Sequence, residues 1–156
     1  MTTYGFHASH EQTAPSRLLA DVQAAERAGF DAAMSSDHIT PWGERQGHSG
    51  FAFSWLGAAL ATTSFPIGSV NAPGQRYHPT LVAQATTTPA EMFPDRDWVA
   101  LGSGQAMNEH VTGEPWPVTE TRVRRLEECV DVVRVYDRPV EPVPLLACAI
   151  TPPTAA

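Results

Sequence analysis

Short apolar runs, each followed by a polar or glycine-rich loop and then a stretch with helical spacing, recur along this chain. That rhythm limits the fold more than any other feature. Residues 3–6, 32–35, 67–70, 98–101 and 145–150 read as strands. Between them, Leu18, Val22 and Ala25 fall at helical spacing, with Pro15 in the opening turn and Gly29 as the stop. Residues 55–63 form an apolar, alanine-rich helix. Residues 79–92 form another, which Pro89 is expected to kink or end early. The best-marked helix covers 120–135, with Val123, Leu126, Val130 and Val133 on one stripe. Strands alternating with helices require right-handed crossovers and a parallel sheet, so the fold class is α/β. The chain of 156 residues shows no internal repeat and no linker before about residue 137, so one domain unit is expected over 1–156.

Composition removes several function classes. All ten basic residues are arginine and the formal charge is −7, so no basic cluster invites nucleic acid and no lysine can form a Schiff base. No apolar stretch reaches membrane-spanning length, and the N-terminus lacks a basic segment followed by an apolar run. Cys129 and Cys148 suffice for neither a disulfide framework nor a zinc site. A cytoplasmic protein acting on a small-molecule substrate is the expectation, with neither nucleic acid nor a membrane as partner.

In parallel sheets the chemistry sits on loops after the C-terminal ends of strands. The unusual polar residues fall there: His7, His10 and Glu11 after the first strand, Asp37 and His38 after the second, Asn71 after the third, and 103–108 after the fourth. The stretch 37–54, rich in Gly, His and Pro, reads as a long functional loop. His7, His10 and Glu11 together invite a metal reading, but a loop without a second ligand cluster argues against it, and no metal is expected. Gly102-Ser103-Gly104 lacks the third glycine of a dinucleotide fingerprint. Arg122, Arg124 and Arg125, balanced by Glu127 and Glu128, read as a solvated helix face.

Three motifs carry a resemblance. Ser36-Asp37-His38-Ile39-Thr40-Pro41-Trp42, Ala72-Pro73-Gly74-Gln75-Arg76-Tyr77-His78-Pro79 and Gly102-Ser103-Gly104-Gln105-Ala106-Met107-Asn108-Glu109 resemble the deazaflavin (coenzyme F420)-dependent oxidoreductases of the luciferase-like superfamily. The similarity is to the branch near glucose-6-phosphate dehydrogenase. It implies a TIM (β/α)8 barrel, which usually takes about 250 residues. About five strands are present here, so the N-terminal portion of such a barrel is expected, shortened between Val135 and Val143.

The resemblance also implies roles. His38 takes the proton from a substrate hydroxyl, a task suited to imidazole near neutral pH. Asp37 holds the His38 tautomer and lines the cofactor pocket. Trp42 walls the reacting centre, and Glu11 lines the substrate side. Ser69 and Val70 match a non-prolyl cis peptide behind the ring. Ser103, Gly104 and Asn108 hold the ring edge. Gln105 stands where relatives carry a proton-donating glutamate, and an amide cannot supply that proton. Glu109, one helical turn on, is not assigned the role.

Coenzyme F420 is therefore the expected cofactor and FMN the alternative. Hydride transfer to or from an alcohol or sugar hydroxyl is the expected activity. The alternatives are a non-catalytic deazaflavin-binding or assembly half-barrel and an FMN-dependent monooxygenase. About five strands leave sheet edges with unpaired backbone groups, and the run 145–150 is apolar and uncharged. The isolated chain is accordingly expected to form a homo-oligomer, pair with a complementary half-barrel, or aggregate. Light scattering at several concentrations checks this: masses above one chain are expected, and a monodisperse monomer with a cooperative melt would contradict it.

Overall fold

The computed structural model of the chain describes residues 2–73, 75–136 and 144–147. In chain order the elements are β1 (Gly5–Ala8), α1 (Pro15–Arg27), β2 (Ala32–Ser36), α2 (Ala52–Thr62), β3 (Ile67–Asn71), α3 (Pro79–Met92), β4 (Asp97–Leu101), α4 (Ala106–Glu109), α5 (Thr119–Tyr136) and β5 (Leu145–Ala147). All neighbouring strands are parallel, and their order in the sheet is their order in the chain. Each crossover therefore steps in one direction, as in a (β/α) barrel; a doubly wound sheet would reverse.

Strand parity divides the sheet into two faces. Ala8, Ala33 and Ile67 pack against Leu18 and Val22 of α1 and Trp55, Leu56 and Leu60 of α2. Val99 and Leu101 pack against Val82 of α3 and against Cys129 and Val133 of α5. On the opposite face, His7, Met34, Gly68 and Trp98 lie side by side across four strands. Among the described residues no helix covers this face: His7 is exposed, Met34, Val70 and Trp98 are half-buried, and Leu146 is 51% exposed. Gly68 is required there, because a Cβ would stand 2.0 Å from Cδ2 of Trp98, whose indole lies across the glycine.

Polar contacts close the N-terminal end of the sheet. Asp31 accepts from the Tyr4 N–H at 2.8 Å, and Glu26 accepts from Ser64 N and Oγ at 2.6 and 2.5 Å. The Arg96 guanidinium donates to the carbonyls of Leu60 and Phe65 at 3.0 and 3.3 Å, using acceptors left open where α2 ends.

Several element boundaries differ from the sequence expectation. β1 lies two residues later than 3–6, because His7 is a strand residue facing the uncovered side rather than the start of a loop. α2 begins three residues earlier, at Ala52. α3 continues three residues past Pro89 to Met92, since a proline near a helix end removes only one backbone bond and Pro89 is buried in packing. In α5 the fully buried residues are Cys129 and Val133, with Leu126 and Val130 packed beside them and Val123 outside the cluster. The shortened stretch before β5, Cys148 and residues 148–150 lie outside the described residues.

Asp97 opens β4 at 3% exposure, and among the described residues its carboxyl oxygens have no hydrogen-bond partner. Burial raises its pKa to about 7, and the dipole of the nearby Trp98 N–H, too poorly placed to bond the carboxyl, offsets this only in part. A carboxyl raised in the fold penalises folding above its native value. The penalty fades as pH falls through about 7 toward the ordinary aspartate value of 3.8. Asp97→Asn should therefore stabilise the protein by about 2–4 kcal/mol at alkaline pH. The gain should vanish near pH 4, as read from thermal melts across pH.

Candidate functional site

The site lies beyond the C-terminal ends of β1 and β2. Glu11 is 3% exposed at its side chain, and its Oε1 meets His38 Nδ1. Oε2 accepts from the Ser9 hydroxyl at 2.5 Å and the Ser36 hydroxyl at 3.0 Å. Burial alone would raise the Glu11 pKa, but the bonds from His38, Ser9, its own backbone N–H and Ser36 outweigh it and hold the carboxyl at about 2. Glu11 thus stays charged at neutral pH. His38 is one-quarter exposed at its side chain. Its Nδ1 is turned to Glu11, which leaves Nε2 for other partners.

The loop bearing His38 is held from several sides. Asn108 Oδ1 accepts from the N–H groups of Ile39 and Thr40 at 3.0 and 3.2 Å. Ser49 Oγ donates to the carbonyls of His38 and Ile39 at 3.0 and 2.6 Å. On the N-terminal side, Asp37 is 4% exposed and accepts from Arg76 Nη2 at 2.8 Å and from the Tyr77 hydroxyl at 3.2 Å. The Arg76 guanidinium sits 4.5 Å from the centre of the Tyr77 ring, and its Nε lies 3.9 Å from Glu109 Oε2. Burial pushes both Asp37 and Glu109 up, and the Arg76 charge opposes the shift in each.

A cavity of about 300 Å3 opens beside the pair, lined by Glu11, Ser36, His38, Trp42, Met34 and Val70 among others. Trp42 is 53% exposed at its rim. Its ring is edge-on to His38 at 5.2 Å, and its Nε1–H donates to His38 Nδ1 at 3.0 Å. Glu11, His38, Trp42 and Val70 are therefore brought together as the motifs suggested. Ser103, Gly104 and Gln105 lie half-buried at the end of the neighbouring β4, outside that cavity's lining.

Two expectations need correction. Asp37 does not hold the His38 tautomer: its oxygens are committed to Arg76 and Tyr77, and Glu11 occupies that place. Asn108 is 1% exposed with its oxygen spent on backbone amides, so it positions the His38 loop and cannot grip a ring edge. The expectation at Ser69 concerns its backbone; its side chain is fully buried and accepts from Asn71 Nδ2 at 2.8 Å. His10 is also fully buried, edge-on to Trp55, whereas His7 faces the uncovered side. Among the described residues no three potential ligands group into a metal site.

Ser9, Ser36, Arg76 and Tyr77 were missed as site residues. The signal for Arg76 was present in the sequence, as a lone arginine in a loop that follows a strand. Nothing in the spacing said which carboxylates it meets. Removing one partner of a buried ion pair costs about 3–5 kcal/mol. Arg76→Met, which leaves Asp37 and Glu109 uncompensated, should lower stability by that order in chemical denaturation.

The chain matches the luciferase-like monooxygenase family over residues 1–137. Among curated proteins it is 39% identical to an F420-dependent glucose-6-phosphate dehydrogenase of Beutenbergia cavernae, over 97% of this chain and 52% of that protein. It is 42% identical to the Tsukamurella paurometabola protein of the same name, over 83% of this chain and 40% of that protein. The chain thus spans about half the length of the curated relatives it matches. The Beutenbergia alignment runs over 175 positions, more than the 156 residues here, so that relative carries residues this chain lacks. Among solved structures, an F420-dependent secondary alcohol dehydrogenase in complex with an F420-acetone adduct superposes with a TM-score of 0.92 at 36% identity. That match covers 99% of this chain and 54% of the other. A coenzyme F420-dependent tetrahydromethanopterin reductase from Methanopyrus kandleri, at 17% identity and a TM-score of 0.75, shares the fold. With its sequentially wound parallel sheet and its match over residues 1–137, this chain belongs to the luciferase-like monooxygenase family.

Proposed function

We propose that this chain forms the part of a deazaflavin-dependent dehydrogenase that carries the proton-accepting histidine, acting on a secondary alcohol or sugar-type hydroxyl. The observation that carries the reading is the buried, ionised Glu11 set on His38 Nδ1 at the mouth of a cavity at the strands' C-terminal ends. The names of the relatives support it, since both the curated proteins and the solved alcohol dehydrogenase are F420-dependent.

The residues present fit a flat, largely apolar ring. Met34 and Val70, from adjoining strands, offer an apolar floor, and about 300 Å3 is the lower end of the usual range for ligand pockets. Ser103 and Gly104 stand half-buried at the next strand end, where uncharged groups can meet a ring edge. When bound, the deazaflavin supplies the hydride acceptor.

The protein's own part is to move a proton. When Glu11 accepts from Nδ1–H of His38, the lone pair is left on Nε2. A substrate hydroxyl placed there gives its proton to Nε2 as its carbon loses hydride. The resulting imidazolium lies against the Glu11 carboxylate, which Ser9 and Ser36 keep in place. Trp42 covers one side of this centre. Gln105 stands at the N-cap position of α4 without a side-chain capping bond; its amide can hydrogen-bond but has no titratable proton.

Titrating F420, FMN and NADP separately, with tryptophan fluorescence as the readout, tests the cofactor. F420 should bind most tightly, and tighter binding of either rival would defeat the reading. His38→Ala should lower alcohol oxidation by about 10²–10⁴-fold, the usual worth of a general base. Gln105→Glu should raise F420 reduction with a pH dependence that follows the new carboxyl.

A further inference from the structure

His38 Nδ1 has two partners that it cannot satisfy together. Glu11 is an ionised acceptor, so it needs a proton on Nδ1. The Trp42 indole Nε1–H, 3.0 Å away, can only donate, so it needs Nδ1 bare. A neutral imidazole carries one N–H and one lone pair. Meeting Glu11 therefore puts the lone pair on Nε2, and meeting Trp42 puts a proton there.

We propose that Glu11 and Trp42 compete for His38 Nδ1, and that the winner decides whether Nε2 faces the cavity as an acceptor or as a donor. Both are positioning residues that act through His38. The proposal rests on the reading of His38 as the proton acceptor only for its functional meaning; the tautomer equilibrium itself is independent of any cofactor or substrate.

The two competitors are held very differently. Glu11 is fixed by the Ser9 and Ser36 hydroxyls and is buried. Trp42 is 53% exposed on the 37–51 loop, with its backbone N–H donating to Gln46 Oε1 at 2.7 Å. Trp42 is thus the partner that can leave. A substrate that draws the indole N–H to its own oxygen would free Nδ1 for Glu11; water then takes the proton from Nε2 and returns one to Nδ1, which exposes the Nε2 lone pair. The base would then be readied by the arrival of the group it deprotonates, without rotation of the imidazole ring.

The test reads the tautomer directly. In alkaline buffer, long-range proton–nitrogen correlation spectra of the ¹⁵N-labelled 156-residue chain report which imidazole nitrogen of each histidine is protonated. The His38 signals are assigned by their loss in His38→Gln. Trp42→Phe keeps the ring but removes the donor, at a rim position where a change of fold is not expected. It should shift His38 toward Nδ1–H by roughly fivefold, about what one hydrogen bond is worth. Glu11→Gln should shift it the other way. The amide oxygen stays with the two serine hydroxyls, so its NH2 faces Nδ1 and joins Trp42 as a donor. An unchanged His38 tautomer ratio in Trp42→Phe overturns the proposal, as does a Glu11→Gln shift toward Nδ1–H. The spectra of the other histidines report whether each variant is folded. A failure of F420 binding or of the His38→Ala loss would strike the proposed function and leave these spectra as they are.

Discussion

A guanidinium buried at the top of a parallel sheet has to be neutralised, and meeting that need ties three separate loops together. Arg76, after β3, lies between Asp37 after β2 and Glu109 at the end of α4. A point charge on a flexible stem would serve less well than a planar fork that bonds one carboxylate while lying against the Tyr77 ring. Because Asp37 is adjacent to His38, the pair also sets where the His38 backbone begins. Asn108 and Ser49 then fix the backbone that follows. The imidazole is aimed from both sides before any ligand is present.

The three acidic side chains of the site are distinguished by their surroundings. Glu11 gathers donors at both oxygens and stays ionised, whereas Asp37 and Glu109 share one cation in a dry environment that raises them both. Only Glu11 reaches the imidazole. Chemistry at the cavity and cohesion behind it thus both use buried carboxylates, divided by their partners.

The sheet explains the form of the site. With helices packed on one face, the other keeps residues that would be out of place in a solvent-facing row: Met34, Val70 and Trp98 beside exposed His7 and Leu146. Trp98 lies flat only because Gly68 has no side chain. In a (β/α) barrel the face opposite the helices turns inward, and the relatives that share this sheet are about twice this length.

The alternation of strands and helices was legible in the sequence because burying one face of a strand and one stripe of a helix imposes periods of two and of 3.6, which composition cannot hide. So were the ends of the strands as the place for polar chemistry, and His38, Trp42 and Glu11 as members of one site. Boundaries were less legible where a polar residue belonged to a strand, as with His7, since sequence alone does not say that a face looks into a pocket. The pairing of the acids was not legible at all. Asp37 adjoins His38 in the chain, yet a strand-end residue turns its side chain away from its neighbour's. It was the fold that brought Arg76 to Asp37 from 39 residues away, and Glu11 to His38 from the end of another strand. Local sequence determined which elements form and which residues stand at their ends. Which charge meets which was decided only when parallel strands set side by side brought loops distant in the chain into contact.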